Sequence, residues 1–230
     1  TWNGPDANGV YWTDELPTDT SILYQDAHLG TDGVALQRRE TPAATWTGGA
    51  GTWCVYNGRL YLKTTDGGDP TERIYQHGLG YQFALDRASH VTFRNCTFQG
   101  LSMSAQKADA ARTDVPVSTH LTWDGCRMRY CTGNAISLYD HHDDWTMRNC
   151  TFLDAGNGIY TISGTNEAAD RLTVQNCTFE RMGIAPFGHQ DAHAVGIQGG
   201  HGHLIEGNLS RDTGSAYCLH AWDHQEMQDI

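Results

Sequence analysis

The sequence predicts an all-β solenoid, a parallel β-helix preceded by a β-hairpin cap. Three observations carry this: a short motif that recurs at loose intervals, alternation of apolar residues inside each copy, and a hairpin signature in a first part that lacks the motif. The copies are HVTFRNCTF (90–98), HLTWDGCRM (120–128), DWTMRNCTF (144–152) and RLTVQNCTF (171–179), with a weaker fifth, GHLIEGNLS (202–210). Their equivalent positions Cys96, Cys126, Cys150, Cys177 and Asn208 are separated by 30, 24, 27 and 31 residues. Helical repeats hold a tighter period, whereas β-coils absorb insertions in their turns.

Within each copy Val91 and Phe93, Leu121 and Trp123, Trp145 and Met147, and Leu172 and Val174 alternate with polar residues. A period of two means a strand with these side chains facing inward. A bend then reverses the parity, so that the cysteines and the following Phe or Met point in again. Asn95, Asn149 and Asn176 fall at that bend, because asparagine tolerates unusual backbone angles and can hydrogen-bond its own backbone. Stacked in register they are expected to form a ladder of side-chain amides. A second strand family follows: NAISLYD (134–140), GIYTISG (158–164), HAVGIQGG (193–200) and SAYCLHAW (215–222). Two or three short strands per coil, with Gly and Asn at corners and no amphipathic helix, complete the pattern.

These motifs resemble the pectate-lyase-like right-handed parallel β-helix superfamily over roughly residues 74–230. The resemblance implies a right-handed coil and extended polymers bound along one flank, as in secreted carbohydrate-active proteins. Two domains are expected: a β-rich cap over 1–73 and the β-helix over 74–230. In the cap, ATWTGGAGTWCVYNGRLYLKTTDGGDP reads as a hairpin about Asn57-Gly58, ended by Gly-Gly-Asp-Pro. Such a segment should cover the strand edges of the first coil. At the other end Met227 and Ile230 read as the opening of another coil. Either the chain continues, or a second chain stacks there end to end.

Composition narrows the partners. The formal charge is −12 and the only lysines are Lys63 and Lys107. Nucleic acid is therefore excluded as a partner, and a strongly anionic polymer is disfavoured unless a cation such as Ca²⁺ intervenes. No run of 18 uncharged apolar residues exists, so no membrane-spanning helix is expected. The opening at Thr1 without a signal peptide suits a processed secreted protein or a trimmed chain, and high Gly, Asn, Thr and Trp also lean toward secretion. The seven cysteines would suggest disulfides in that setting. Coils ~4.8 Å apart hold stacked Cβ atoms too far apart for the ~3.8 Å a disulfide prefers, so the column reads as buried thiols. Cys54, Cys131 and Cys218 are left unassigned.

By alternation, Ser137, Tyr139, Tyr160, Gly196, Gln198 and His220 face outward in the second strand family, and the turns 100–119 and 181–193 insert beside them. Eight of the twelve histidines collect here: His141, His142, His189, His193, His201, His203, His220 and His224. Carboxylates accompany them at Asp140, Asp143, Asp144, Asp191, Asp223 and Glu226. Polar turn residues need no role singly, but together they offer proton donors and acceptors near neutral pH. In His189-Gln-Asp191-Ala-His193, His193 reads as base or acid with Asp191 orienting it. A metal held by the three is the alternative, although the spacing matches no strong zinc pattern. His141 to Asp144 are expected to face this loop across a cleft.

Two carboxylates across a cleft suit glycoside hydrolysis; Tyr160 with His193 suits proton abstraction by a lyase. Tyr139, His141, Gln198, His220 and Trp222 are candidates for binding sugar, Trp222 as an aromatic platform; Trp123 and Trp145 fall on core positions. Asp143-Asp144 and Gly200-His201-Gly202 are similar to polygalacturonase motifs. They lie two coils apart and lack the Asn-x-Asp and Arg-x-Lys partners, so that match is accidental. The Ca²⁺-and-arginine arrangement of pectate lyases is not recognisable, and no cofactor is expected. The reading is thus a secreted polysaccharide-cleaving protein, hydrolase ahead of lyase. Its rivals are a non-catalytic surface, adhesion or filament module, and a C5-epimerase of uronates.

Overall fold

The computed structural model describes residues 2–14, 22–25, 34–72, 75–78, 82–85, 88–105, 118–131, 133–139, 142–162, 169–183, 192–220 and 227–228. The chain forms two compact units, Thr1–Leu79 and Gly80–Ile230.

In the first unit the expected hairpin is present. Strands Thr52–Tyr56 and Arg59–Lys63 pair antiparallel around Asn57 (φ 48°) and Gly58 (φ 77°), the two left-handed residues of a tight turn. Tyr11–Thr13 and Gln37–Arg38 extend the sheet on either side. Trp53, Leu36, Leu60 and Leu62 form its core, and the Trp53 indole donates to the Leu36 carbonyl at 3.0 Å. One departure concerns Ala44 to Thr47, read as part of the hairpin. They belong to a short helix, Pro42–Thr47, whose N-cap Thr41 accepts from the Ala44 N–H. Proline in the first turn, preceded by a threonine cap, is a helix-starting signal that outweighs the β-propensity of Trp and Thr.

The second unit is the right-handed parallel β-helix. Its first face stacks Thr92–Arg94, Thr122–Asp124, Thr146–Arg148, Thr173–Gln175 and Leu204–Glu206. Its second face stacks Thr97–Gln99, Arg127–Arg129, Thr151–Ala155, Thr178–Met182 and Leu209–Arg211. The third has longer strands: Gln82–Ala84, Ser102–Ala105, Asn134–Tyr139, Asn157–Ile162, His193–Gln198 and Ser215–His220. Gly200–His201 pairs with Met227–Gln228, again parallel.

Every coil turns through left-handed residues five positions apart. The corners are His90, Asn95 and Gly100; His120, Gly125 and Tyr130; Asp144, Asn149 and Asp154; Arg171, Asn176 and Arg181; and Gly202, Gly207 and Asp212. The bend asparagines are left-handed, but no amide ladder joins them: glycine stands in the column at 125 and 207, and the amide of Asn149 turns away from Asn176 to an acidic neighbour. The Asn95 Oδ1 occupies the space beside Gly125, 2.4 Å from where a Cβ would stand, and Asn176 does the same beside Gly207. Asn149 instead donates to the Asp124 carboxylate at 3.1 Å. Where an amide ladder does occur, it is on the third face: Asn157 Nδ2 donates to Asn134 Oδ1 at 2.8 Å.

The core is as read. Leu121, Trp123, Trp145, Met147, Leu172 and Val174 are fully buried, and Cys126, Cys150 and Cys177 line up beside them, with Cys96 half-buried at one end. The strand registers put the four cysteines and Asn208 in one interior column. All seven cysteines are free thiols. Burial pushes the Cys126 thiol up, and burial with the nearby Asp154 charge pushes Cys131 up to about 12. In the last coil Asn208 takes the thiol position, accepting from the Cys177 N–H at 2.8 Å and donating to the Val174 carbonyl at 2.9 Å. Aromatic rings continue the stack: Phe93 on Trp123, Trp123 on Trp145, and Phe152 on Phe179, the last pair 4.8 Å apart and 6° from parallel.

Two histidines assigned to the outer flank are instead interior. His142 is 2% and His203 4% exposed. His142 Nδ1 accepts from the Ser118 N–H at 3.1 Å, and His203 Nδ1 accepts from the Leu172 N–H at 3.2 Å. His203 Nε2 faces the Gly199 carbonyl, so one ring satisfies a buried donor and a buried acceptor. Burial lowers the His203 pKa below its ordinary 6.5, so the folded state resists the proton that the unfolded chain takes up. Stability is therefore full above about pH 6.5 and falls as the pH drops below it. Urea unfolding at pH 7.5 and 5.5 should show this acid-side loss shrinking in His203→Gln; an unchanged loss in that variant would place its origin elsewhere.

Candidate functional site on the third face

Alternation along the third face is fixed by its apolar residues. Ile136, Leu138, Ile159, Val195 and Ile197 are buried in the core, which turns Ser137, Tyr160, Gly196 and Gln198 outward. Ser137, Tyr160 and Gly196 stand in one column, with Gln198 beside His220. A second column runs Asn134, Asn157, His193 and Ser215, one residue per strand.

The Tyr160 and His193 rings lie nearly parallel, 8° apart with centroids at 6.0 Å. Glycine at 196 makes this possible, since a Cβ there would sit 2.4 Å from the Tyr160 ring and 3.3 Å from the His193 Cδ2. Gln198 Nε2 donates to the Tyr160 hydroxyl at 2.9 Å, and the Gln198 N–H donates to Thr161 Oγ1 at 2.8 Å. The phenol oxygen thus accepts from an amide N–H. His193 is held at both ends: its N–H donates to Asn157 Oδ1 at 2.7 Å, and its Nδ1 lies 2.6 Å from Ser215 Oγ. Ala192, just before it, is left-handed (φ 59°). Non-glycine residues take this conformation only where the surroundings impose it.

Asp143 and Asp144 sit elsewhere. They follow the far end of the strand Asn134–Tyr139, whereas His193 opens its strand. At ~3.3 Å per residue, that leaves roughly 17 Å between them along the face. Both carboxylates engage Arg171, which donates from Nε and Nη2 to Asp144 at 2.7 and 2.9 Å and from Nη2 to Asp143 at 3.3 Å. The Arg171 guanidinium holds the Asp144 carboxyl below its ordinary value. His120 Nε2 lies 3.6 Å from the Asp144 carboxylate and its ring stacks on His90 at 4.6 Å, so one corner carries a row of polar side chains up the coils.

Tyr139 and His220 occupy strand positions on the third face. His141, His189, Asp191 and Trp222 lie outside the described residues, so of the His189-Asp191-His193 motif only His193 is placed. Among the described residues no group of three or more His, Cys, Asp or Glu is arranged to hold a metal, and no helix is long and apolar enough to cross a membrane.

Ser215, Asn157 and Asn134 are the members that the sequence reading missed. A signal was present in the second strand family, where Asn134-Ala135, His193-Ala194 and Ser215-Ala216 open three of the four copies with a polar residue followed by alanine, and Asn157-Gly158 opens the fourth.

Fold and site together define a parallel β-helix protein with a polar outer face of Tyr, His, Gln and Ser. The family model for the right-handed beta helix region matches residues 70–179, in keeping with the parallel solenoid of the second unit. No curated protein and no solved structure matches the chain significantly.

Proposed function

We propose that the third face binds an extended glycan and that His193 and Tyr160 carry proton transfer in its cleavage, in a secreted setting. The parallel Tyr160–His193 pair, with Gln198 tied to the phenol, is the observation that carries the reading. An imidazole titrates near neutral pH and a phenol is a weak acid, so the pair brings a base and an acid to one surface. Strands ~4.8 Å apart present such groups in rows, as a linear polymer requires. With Asp143 and Asp144 tied to Arg171 at the other end of the face, the Tyr–His pair supports a polysaccharide lyase at least as well as a glycoside hydrolase. The charge of −12 favours a neutral or weakly charged polymer. A uronan with esterified carboxyls meets both conditions, being uncharged yet carrying an acidified C5–H.

The test is a screen of neutral and esterified polysaccharides, following reducing ends and the unsaturated product of elimination. His193→Ala should lower turnover roughly 10²- to 10⁴-fold, and Tyr160→Phe should lower it with the fold intact. Undiminished turnover in His193→Ala would remove that residue from the chemistry. A second reading, a non-catalytic module stacking end to end, is favoured by Tyr217 and Leu219. They extend the core columns of Val195 and Ile197, yet are 45% and 48% exposed. No cleavage of any polymer, with concentration-dependent association abolished by Tyr217→Ser and Leu219→Ser, would decide for that module.

A further inference from the structure

The column Asn134, Asn157, His193 and Ser215 changes character halfway along. Its first two members are joined amide to amide at 2.8 Å. Asn157 then uses its oxygen on the main-chain N–H of His193, at 2.7 Å, so the backbone of the histidine is clamped from one side. From the other side Ser215 Oγ meets the ring at Nδ1, 2.6 Å away. Tyr160 fixes the ring plane, 8° from its own. The Cδ2 edge turns toward Gly196, so rotating the ring by half a turn would take Nδ1 away from Ser215. Main chain, plane and edge are each held by a different residue.

We infer that Ser215 is a positioning residue: its oxygen accepts from Nδ1–H of His193 and fixes the tautomer whose lone pair is on Nε2. The inference rests on the reading of His193 as a base and names what prepares it. A neutral imidazole carries one proton, and the bond made at one ring nitrogen decides which of the two carries it. Unrestrained histidine prefers the proton on Nε2, which would leave a base working through that nitrogen without its lone pair. A serine hydroxyl has two lone pairs to accept with and a proton to donate elsewhere, so it can hold Nδ1–H without being consumed.

The experiment is ¹⁵N NMR of the histidine ring nitrogens in the full chain, beside kinetics on a polymer the wild type cleaves. The wild type should show His193 protonated at Nδ1. Ser215→Ala should return the ring to the ordinary mixture dominated by Nε2–H and lower kcat/KM roughly 10- to 100-fold, mostly in kcat. Ser215→Thr, which keeps the hydroxyl, should restore both. A wild-type His193 carrying its proton on Nε2, or a Ser215→Ala spectrum unchanged in tautomer, overturns the inference. So does covalent labelling of Ser215 by a fluorophosphonate, which would make it a nucleophile. The two readings fail separately: loss of the glycan reading shows as turnover indifferent to His193→Ala, whereas the tautomer is read without any substrate.

Discussion

Replacing Trp145 by alanine should lower the unfolding free energy by about 3–5 kcal/mol, the range for removing a large aromatic from a packed core. Trp145 is fully buried, lies 5.1 Å from the Trp123 ring and 6.0 Å from the His142 ring, and donates from Nε1 to the Ser118 carbonyl at 2.9 Å. The substitution therefore empties a volume between two coils and strands a buried carbonyl. Ser118 is itself the donor to His142 and hydrogen-bonds the Leu85 carbonyl, so the loss reaches the neighbouring coil. In a solenoid each coil is stabilised mainly by its neighbours, and damage there weakens the whole stack. Trp145→Phe separates the two contributions, since it keeps most of the apolar contact and loses only the indole donor. Urea denaturation should show a large fall in midpoint for alanine and a smaller one for phenylalanine. A fall of under about 1 kcal/mol for alanine would mean that the ring stack is not a continuous core.

Arg181→Ala should cost about 3 kcal/mol or more, because it leaves a carboxylate buried without its main counter-charge. Asp154 is 2% exposed and accepts both arms of the Arg181 guanidinium, Nε to Oδ1 at 2.7 Å and Nη2 to Oδ2 at 2.9 Å. Both residues are left-handed corners of adjacent coils, at φ 53° and 56°, so the ion pair joins the third corner of one coil to that of the next. Breaking a buried pair from one side is worse than removing the pair, since it is the orphaned charge that is expensive. Combining Arg181→Ala with Asp154→Asn should therefore recover much of the loss, and asparagine suits the left-handed corner as well as aspartate does. Denaturation at neutral pH tests this. A double variant no more stable than Arg181→Ala would show that the ion pair's charge is not what matters.

Much of this architecture was legible in the sequence because two constraints coincide in it. Period-two alternation identified the inward residues, and repetition of NCTF-like segments aligned them, so the column from Cys96 to Asn208 followed from one motif. The pairs Asn57-Gly58 and Trp123 with Trp145 were readable for the same reason: each residue type has a single cheap use there. His142 and His203 were misread because histidine looks like surface. His203 occupies the core position of Leu172, and its two ring nitrogens meet a main-chain donor and a main-chain acceptor that lie far from it in the sequence or across a turn. The site was legible in part. Tyr160 and Gln198 fell out of alternation and His193 out of the His189-Gln-Asp191-Ala-His193 motif, but the contacts between His193, Asn157 and Ser215 depend on which strands lie side by side. That register is set by connections of unequal length, which carry no motif. Corners at Tyr130 and Arg181 were invisible for a plainer reason, since neither residue type signals left-handed backbone.

The fivefold spacing of the corners divides each coil into a part that counts residues and a part that does not. From the first corner to the third every coil spends the same length, so a single insertion there would turn inward-facing side chains outward. All the variation in repeat length falls between the third corner of one coil and the first corner of the next, the stretch that includes the third face. The molecule thus separates heredity of shape from freedom of surface. Mutation can lengthen, shorten or rewrite what borders the Tyr160–His193 face while the stack beneath continues to assemble.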